Sequence, residues 1–303
     1  INLKCASCHD SFTDKWKLTD SYGLAAAFSP EKLEIARCDK PTGKIAEPYW
    51  LYPELGKIDP NLPPAERLKQ VAALTTTPAN GRFSRTIVNR LWHRLMGRGI
   101  VHPVDAMSGE PWNEDLLDHL ATYLVDQRYD LKKVIAHICS SKAYQSKSQP
   151  LVTDDESKWK YAGPRAKRMT AEQFVDAIWR IPATTPGKPD FSPPLEKEDH
   201  LQVRAALMKC DLLMRARGRP NREQIVSARP NDLTTLEAMD LNNGNILAKL
   251  LEQGAANLLA RHPNDISGLI DDLYLQALSR SPTAEEKNQI TQSFTGPPDS
   301  AAV

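Results

Sequence analysis

Apolar residues recur at helical spacing along most of this chain. Phe83, Ile87, Val88, Leu91, Trp92 and Leu95 form one stripe on a helix from about Arg82 to Met96, and Gly97 ends it. Asn89, His93 and Met96 fall on another face. Leu116, Leu117, Leu120 and Leu124 predict a helix over 114–125, and Asp130 is placed to cap another over 131–141. With a helix over 64–74, these predict a compact bundle over 65–145. Residues 145–163 are polar and aperiodic, as in a linker. Thr170-Ala-Glu-Gln173 is a capping box that opens a helix over 171–181, and a Pro/Thr-rich loop follows over 182–194. Further helices are expected over 201–214, over 233–261 with a break at Asn242-Asn243-Gly244, and over 266–279. Thr283 to Glu286 forms a last capping box. These elements predict a C-terminal helical part over 165–296.

The first 64 residues read differently. Residues 10–28 suggest one or two short helices, and Ser29-Pro30-Glu31 reads as a helix start leading to about Arg37. Six prolines between Asp39 and Pro64 then point to a turn-rich connection, whose Tyr49, Trp50, Leu51 and Tyr52 must pack on something. No run alternates with period two for long enough to argue a sheet. The expected fold class is all-α: a multi-helical bundle with long irregular loops and a distinct N-terminal segment over 1–64.

At 303 residues, 41% hydrophobic and 25% charged, the chain is long enough for two cores. The net charge of +1 gives no general attraction to nucleic acid. The longest apolar stretches are short, such as 24–28, so neither a membrane span nor a secretory core is expected within these residues.

The most specific chemical signal is Cys5-Ala-Ser-Cys8-His9. Two thiols three apart, followed at once by an imidazole, form the C-x-x-C-H signature of covalent haem c attachment. Each thiol adds to one porphyrin vinyl group, and the imidazole of His9 becomes the proximal iron ligand. With five Cys and seven His in the chain, about 0.002 chance matches are expected. A zinc half-site needs two more ligands, of which Cys38 is one candidate, and a dithiol redox pair usually lies at a strand-to-helix junction. Attachment to this motif takes place outside the bacterial cytoplasm, so a periplasmic or extracellular location is expected. Its export signal is absent from these residues, and since the chain starts at Ile1, further residues upstream are expected too. Cys38, Cys139 and Cys210 then allow at most one disulfide among themselves.

Trp16, Tyr22 and Phe28 are candidates to line a porphyrin pocket, with plain core as the alternative. The segment His93 to Met107 concentrates four candidate sixth ligands, His93, Met96, His102 and Met107. Met96 is preferred over His93, because a thioether does not favour solvent, and Arg90 on the same face would lie near a propionate. His119 and His137, inside amphipathic helices, are read as ordinary surface or core residues. Arg215, Arg217, Arg219, Arg222 and Arg229 cluster between helices. Bonds to carbonyls and carboxylates are the default for them, and an anion site for propionates or an acidic or sulfated carbohydrate is the alternative.

Several motifs together resemble the planctomycete-type cytochrome proteins, which carry a PSCyt cytochrome domain followed by a PSD domain. They are Cys5-Ala-Ser-Cys8-His9-Asp10, Arg85-Thr-Ile-Val-Asn89-Arg90-Leu-Trp92, Tyr129-Asp130-Leu131-Lys132, Ser141-Lys-Ala-Tyr144-Gln145 and Arg168-Met-Thr-Ala-Glu172-Gln173-Phe174. Gly218-Arg219-Pro220-Asn221-Arg222-Glu223, Thr235-Leu236-Glu237-Ala238 and Arg280-Ser-Pro282-Thr283 extend the likeness almost to the end. The resemblance implies an exported haem protein but no particular reaction. No nucleophile elbow, zinc-protease motif, phosphate loop or dinucleotide fingerprint is present. The expected function is that of an exported c-type cytochrome, transferring one electron to or from a partner protein within a larger assembly. The alternatives are a haem enzyme with an open iron position, peroxidase-like or carbohydrate-oxidising, and a cell-surface scaffold that carries haem.

Overall fold

The computed structural model describes residues 3–150, 159–191, 203–221, 226, 229 and 233–293. The chain divides into two compact units, Ile1–Ala166 and Lys167–Val303.

The first unit begins with the Cys-His turn and helix α1 (Leu18–Phe28). A β-hairpin follows, made of β1 (Glu34–Arg37) and β2 (Lys40–Ile45), antiparallel with Arg37 opposite Lys40 and Ala36 opposite Pro41. This corrects the helix expected from Ser29 to Arg37. Ser29 Oγ does accept the Glu31 N–H, as a cap would, but the bond closes only a local turn. Cys38 and Asp39 then both take positive φ, 46° and 64°, the backbone of a two-residue hairpin turn. That turn lacks the usual Asn-Gly, and the strands are short, so neither signal was visible in the sequence.

The aromatic run packs as its composition demands. Trp50, Leu51 and Tyr52 bury with Ala6, Trp16, Ala27, Ile58 and Val71, the last from α2 (Pro64–Thr76). Tyr49 lies across Gly23, where a Cβ would stand 2.2 Å from its ring. Its hydroxyl donates to Asp20, and burial followed by that carboxylate pushes its pKa above the ordinary tyrosine range. Arg67 on α2 donates to the Leu62 carbonyl at 2.9 Å and to the Ser29 carbonyl at 2.5 Å, so one side chain ties α2 to the end of α1.

The bundle is α3 (Gly81–Met96), α4 (Glu114–Asp126) and α5 (Leu131–Cys139). The expected caps are present: Asn113 Oδ1 accepts the Leu116 N–H, and Asp130 accepts from Lys132 and Lys133. Gly97 closes α3 in the left-handed region at φ 82°, where a Cβ would also meet Arg165. Val88, Trp92, Met96, Ile100, Val101, Leu117, Leu120, Leu124, Val134 and Ile138 form the core.

In the second unit, α6 (Ala171–Arg180) opens with the predicted Thr170/Gln173 box. A short α7 (Leu212–Ala216) precedes α8 (Thr235–Asn243), α9 (Asn245–Arg261), α10 (Ile266–Leu278) and α11 (Ala284–Ser293). Val175, Trp179, Leu213, Met214 and Leu247 fill its core. The expected helix over 201–214 is a 3-10 turn, Ala205–Leu207, followed by α7. Arg219 explains the break, because its guanidinium takes the carbonyls of Ala205, Ala206 and Met208, which a continuous helix would spend internally. About half of the described residues are helical, and the hairpin is the only sheet among them.

Candidate functional site at the N-terminal Cys-His turn

Residues 3–9 wind as a helical turn, with Ser7 N–H donating to Leu3 O at 2.9 Å and both Cys8 and His9 N–H to Cys5 O at 3.2 Å. Ala6 is fully buried in the aromatic cluster and anchors the turn, while Cys5 is exposed and Cys8 half-buried. His9 Nδ1 lies 2.7 Å from the Asp10 carbonyl oxygen. A carbonyl only accepts, so Nδ1 carries the proton, and the Nε2 lone pair of the neutral ring is left for a metal. The Phe12 ring stands 4.7 Å from the imidazole and is 89% exposed. Two cysteines on one turn, one exposed and one half-buried, and an imidazole presented through Nε2 are the groups a c-type haem needs, so these residues fit it.

Cys38, at the hairpin turn, comes to the same place. Its N–H donates to Cys8 O at 3.0 Å, and its Sγ lies 3.8 Å from that oxygen. A side-chain hydrogen bond with Cys8 pushes the Cys38 thiol above its ordinary pKa. The β-hairpin thus brings a third cysteine to the motif, a neighbour that a helix over 29–37 would not have delivered in this way.

Among the other predicted site residues, Trp16 shares the cluster that buries Ala6, next to the turn. Tyr22 packs in a separate small cluster with Leu18, Ala26, Ile35 and Ala46, and Phe28 is exposed. The three side chains share no cluster. The outward face assigned to Met96 is corrected. The residue is 2% exposed and packs in the bundle core with Trp92 and Ile100. The sequence split of α3 misplaced the core edge: Ser84, Val88, Asn89, Trp92 and Met96 are the buried positions, and Phe83, Ile87, Leu91 and Leu95 only flank them. Asn89 is inward because the loop after α3 hangs on it. Its amide donates to Val101 O and Val104 O at 3.0 Å and accepts from Val101 N–H at 2.9 Å. Met107 supplies its sulfur to the same amide at 3.4 Å. His93 is half-buried and His102 exposed. Arg90 holds Asp105 at 2.7 Å, so its guanidinium has a carboxylate partner inside the chain.

Three arginines of the cluster, Arg217, Arg219 and Arg229, are paired with carboxylates inside the chain. Arg168 and Arg217 converge on Glu237, with Arg217 and Glu237 side chains both 6% exposed and 3.0 Å apart. Arg229 grips Glu172 through two bonds, at 2.6 and 3.0 Å, and Arg219 adds a contact at 3.5 Å. Arg217 also lies over the Phe174 ring at 3.9 Å. Arg215 is exposed, and Arg222 lies outside the described residues. For Arg217, Arg219 and Arg229 the default reading, carboxylate and carbonyl partners within the chain, is what the structure shows.

One pair went unnoticed in the sequence. His119 on α4 and His137 on α5 meet with their Nε2 atoms 3.1 Å apart. Each stands nine residues from Arg128, in the short turn that joins the two antiparallel helices. Equal distance from a tight helical turn was the available signal.

The PSD1 family, described as a protein of unknown function (DUF1553), matches residues 67–294. No curated protein and no solved structure matches the chain. The family span begins after the Cys-His turn and takes in both the bundle and the arginine-tied second unit. Many of the motifs noted in the sequence are its internal ties: Arg85 to Asp118 at 2.5 Å, Asn89 to the loop, Arg168 to Glu237, and Arg280 to Glu286. With three quarters of its length matched, the chain belongs to the PSD1 family.

Proposed function

We propose that this chain carries a covalently attached haem c on Cys5 and Cys8, with His9 as proximal ligand, and transfers single electrons in an exported assembly. The observation that supports it most is the Asp10 carbonyl on His9 Nδ1, which selects the tautomer able to offer Nε2 to iron. Haem supplies a one-electron redox centre. The chain's own residues hold the turn that carries both cysteines and place Phe12 beside the imidazole. The PSCyt-like character of this segment and a partner protein that exchanges electrons belong to the same proposal. Met96, inside the closed bundle core, is not proposed as sixth ligand. An iron without a sixth protein ligand would favour the open-site haem enzyme, and spin state distinguishes the two.

The contact between Cys38 and Cys8 favours a second reading, in which these two thiols close a disulfide at the expense of an external two-electron acceptor. The two fates exclude each other at Cys8. Express the protein for export in a host that makes c-type cytochromes, extract with acid acetone, and map the cysteines by mass spectrometry. Haem retained on the peptide, with Cys38, Cys139 and Cys210 free, is the expected result. A colourless chain with Cys8 linked to Cys38 would overturn the haem reading in favour of the second.

A further inference from the structure

His119 and His137 face each other through their ring nitrogens, 3.1 Å apart. In the neutral protein one Nε2–H donates to the other Nε2 lone pair. A cation bound by both rings sits to one side of the line between the nitrogens, so each ring turns its lone pair toward that point while the nitrogen separation is kept. Metal to imidazole distances of about 2.0–2.1 Å put the two nitrogens about 3.3 Å apart in a tetrahedral site and about 2.9 Å apart in a square-planar one. The observed separation lies between these values.

The two rings are held from behind. Leu120 and Leu124 on α4, and Val134 and Ile138 on α5, are buried in the bundle core, so the two helices that carry the histidines are fixed. Tyr123, one turn beyond His119, stacks on the His137 ring with centroids 4.4 Å apart and planes 19° from parallel. His119 is exposed, which leaves an approach from solvent. No group of three or more His, Cys, Asp or Glu positioned for a metal occurs among the described residues, so water completes any coordination sphere here. We propose that His119 and His137 form a two-imidazole chelating site for a borderline transition cation, Cu2+ ahead of Zn2+, bridging α4 and α5. Hard cations such as Mg2+ and Ca2+ prefer oxygen donors and are not taken. Because the cation cross-links two helices of the folded bundle and has no such site in the unfolded chain, it stabilises the fold.

The test uses the full chain with its thiols alkylated, so that the N-terminal cysteines do not compete. Titrate Cu2+, and separately Zn2+, and follow nitrogen coupling in the Cu2+ electron paramagnetic resonance spectrum together with the metal-dependent rise in melting temperature. The expected result is one equivalent bound through two nitrogens, weakened at least tenfold in both His119→Gln and His137→Gln, with the melting shift lost. Tyr123→Ala, which removes the stacking partner but no ligand, is expected to weaken binding less than either. Circular dichroism of the metal-free variants checks that the bundle is intact. Binding that persists unchanged in both histidine variants, or no binding below millimolar Cu2+, would overturn the assignment.

Discussion

The two units keep their interiors polar in opposite ways. In the α3–α5 bundle the buried polar residue at the centre is neutral: Asn89, 0% exposed, spends its amide on the backbone of the loop that follows its own helix. In the second unit a buried carboxylate takes that place: Glu237, 5% exposed, is held by Arg168 and Arg217, and the partly buried Glu172 is held by Arg219 and Arg229. Both devices fasten irregular chain to a helical core. A neutral amide satisfies three backbone groups at modest desolvation cost, whereas buried ions must stay paired or cost several kcal/mol each. The first unit should therefore be indifferent to charge and the second sensitive to it.

The largest expected effect follows from removing one charge. Glu237→Gln leaves two guanidiniums on a neutral side chain in a site that is 6% exposed, and a loss of about 3–5 kcal/mol is expected in urea denaturation. Asn89→Leu, close in shape, leaves Val101 N–H, Val101 O and Val104 O without their partner, and should cost about 3 kcal/mol. The comparison is broken if added salt changes the Asn89 penalty as much as the Glu237 penalty.

How much of this was legible beforehand differs between the same regions. Periodicity located α3, α4, α5 and α6 to within a few residues, and Asp130, Thr170 and Thr283 announced their caps, because these signals are local. The face of α3 was misjudged, because an asparagine turned inward by a loop twelve residues on cannot be told from a solvated one by spacing. The partners of Arg217 and Arg229 lie 20 and 57 residues away, so composition revealed the cluster but not its neutralisation. At the Cys-His turn the motif itself was plain. The arrival of Cys38 was not, since it depends on a hairpin whose Cys38-Asp39 turn carries no common turn signature.

Acid sharpens the contrast between the units. Burial alone would raise the Glu172 carboxyl, but its bonds to Arg229, its own backbone contact and the nearby Arg219 hold it below the ordinary value of 4.5. A carboxyl whose pKa is depressed on folding contributes stability that is present above its unfolded value and is lost as pH falls through the folded one. Stability of the second unit should therefore begin to fall below about pH 4.5, and Glu172→Gln should flatten that fall while lowering stability at neutral pH. Denaturation midpoints recorded from pH 7 to pH 3 decide it. An unchanged slope in the variant would show that Glu172 is not the group lost.

The smallest effect tests whether burial, and not charge as such, makes the second unit sensitive. Arg280 and Glu286 form a geometrically good pair, with guanidinium nitrogens 2.7 and 2.9 Å from the two carboxylate oxygens, but they lie at the surface. Glu286 also takes the Thr283 N–H at 2.8 Å in the capping box of α11. These bonds, the arginine first, pull the Glu286 carboxyl down to about 2. The sign is the same as for Glu172, so any stability it contributes is present above the ordinary 4.5 and disappears as pH falls toward about 2. Solvent screens an exposed pair and both long side chains lose freedom in forming it, so Arg280→Ala should raise the Glu286 pKa while barely moving the denaturation midpoint. Carboxyl carbon NMR titration reads the first quantity and urea denaturation the second. A midpoint shift approaching that of Glu237→Gln would mean that position in the fold, buried or exposed, is not what sets the value of an arginine–glutamate pair in this protein.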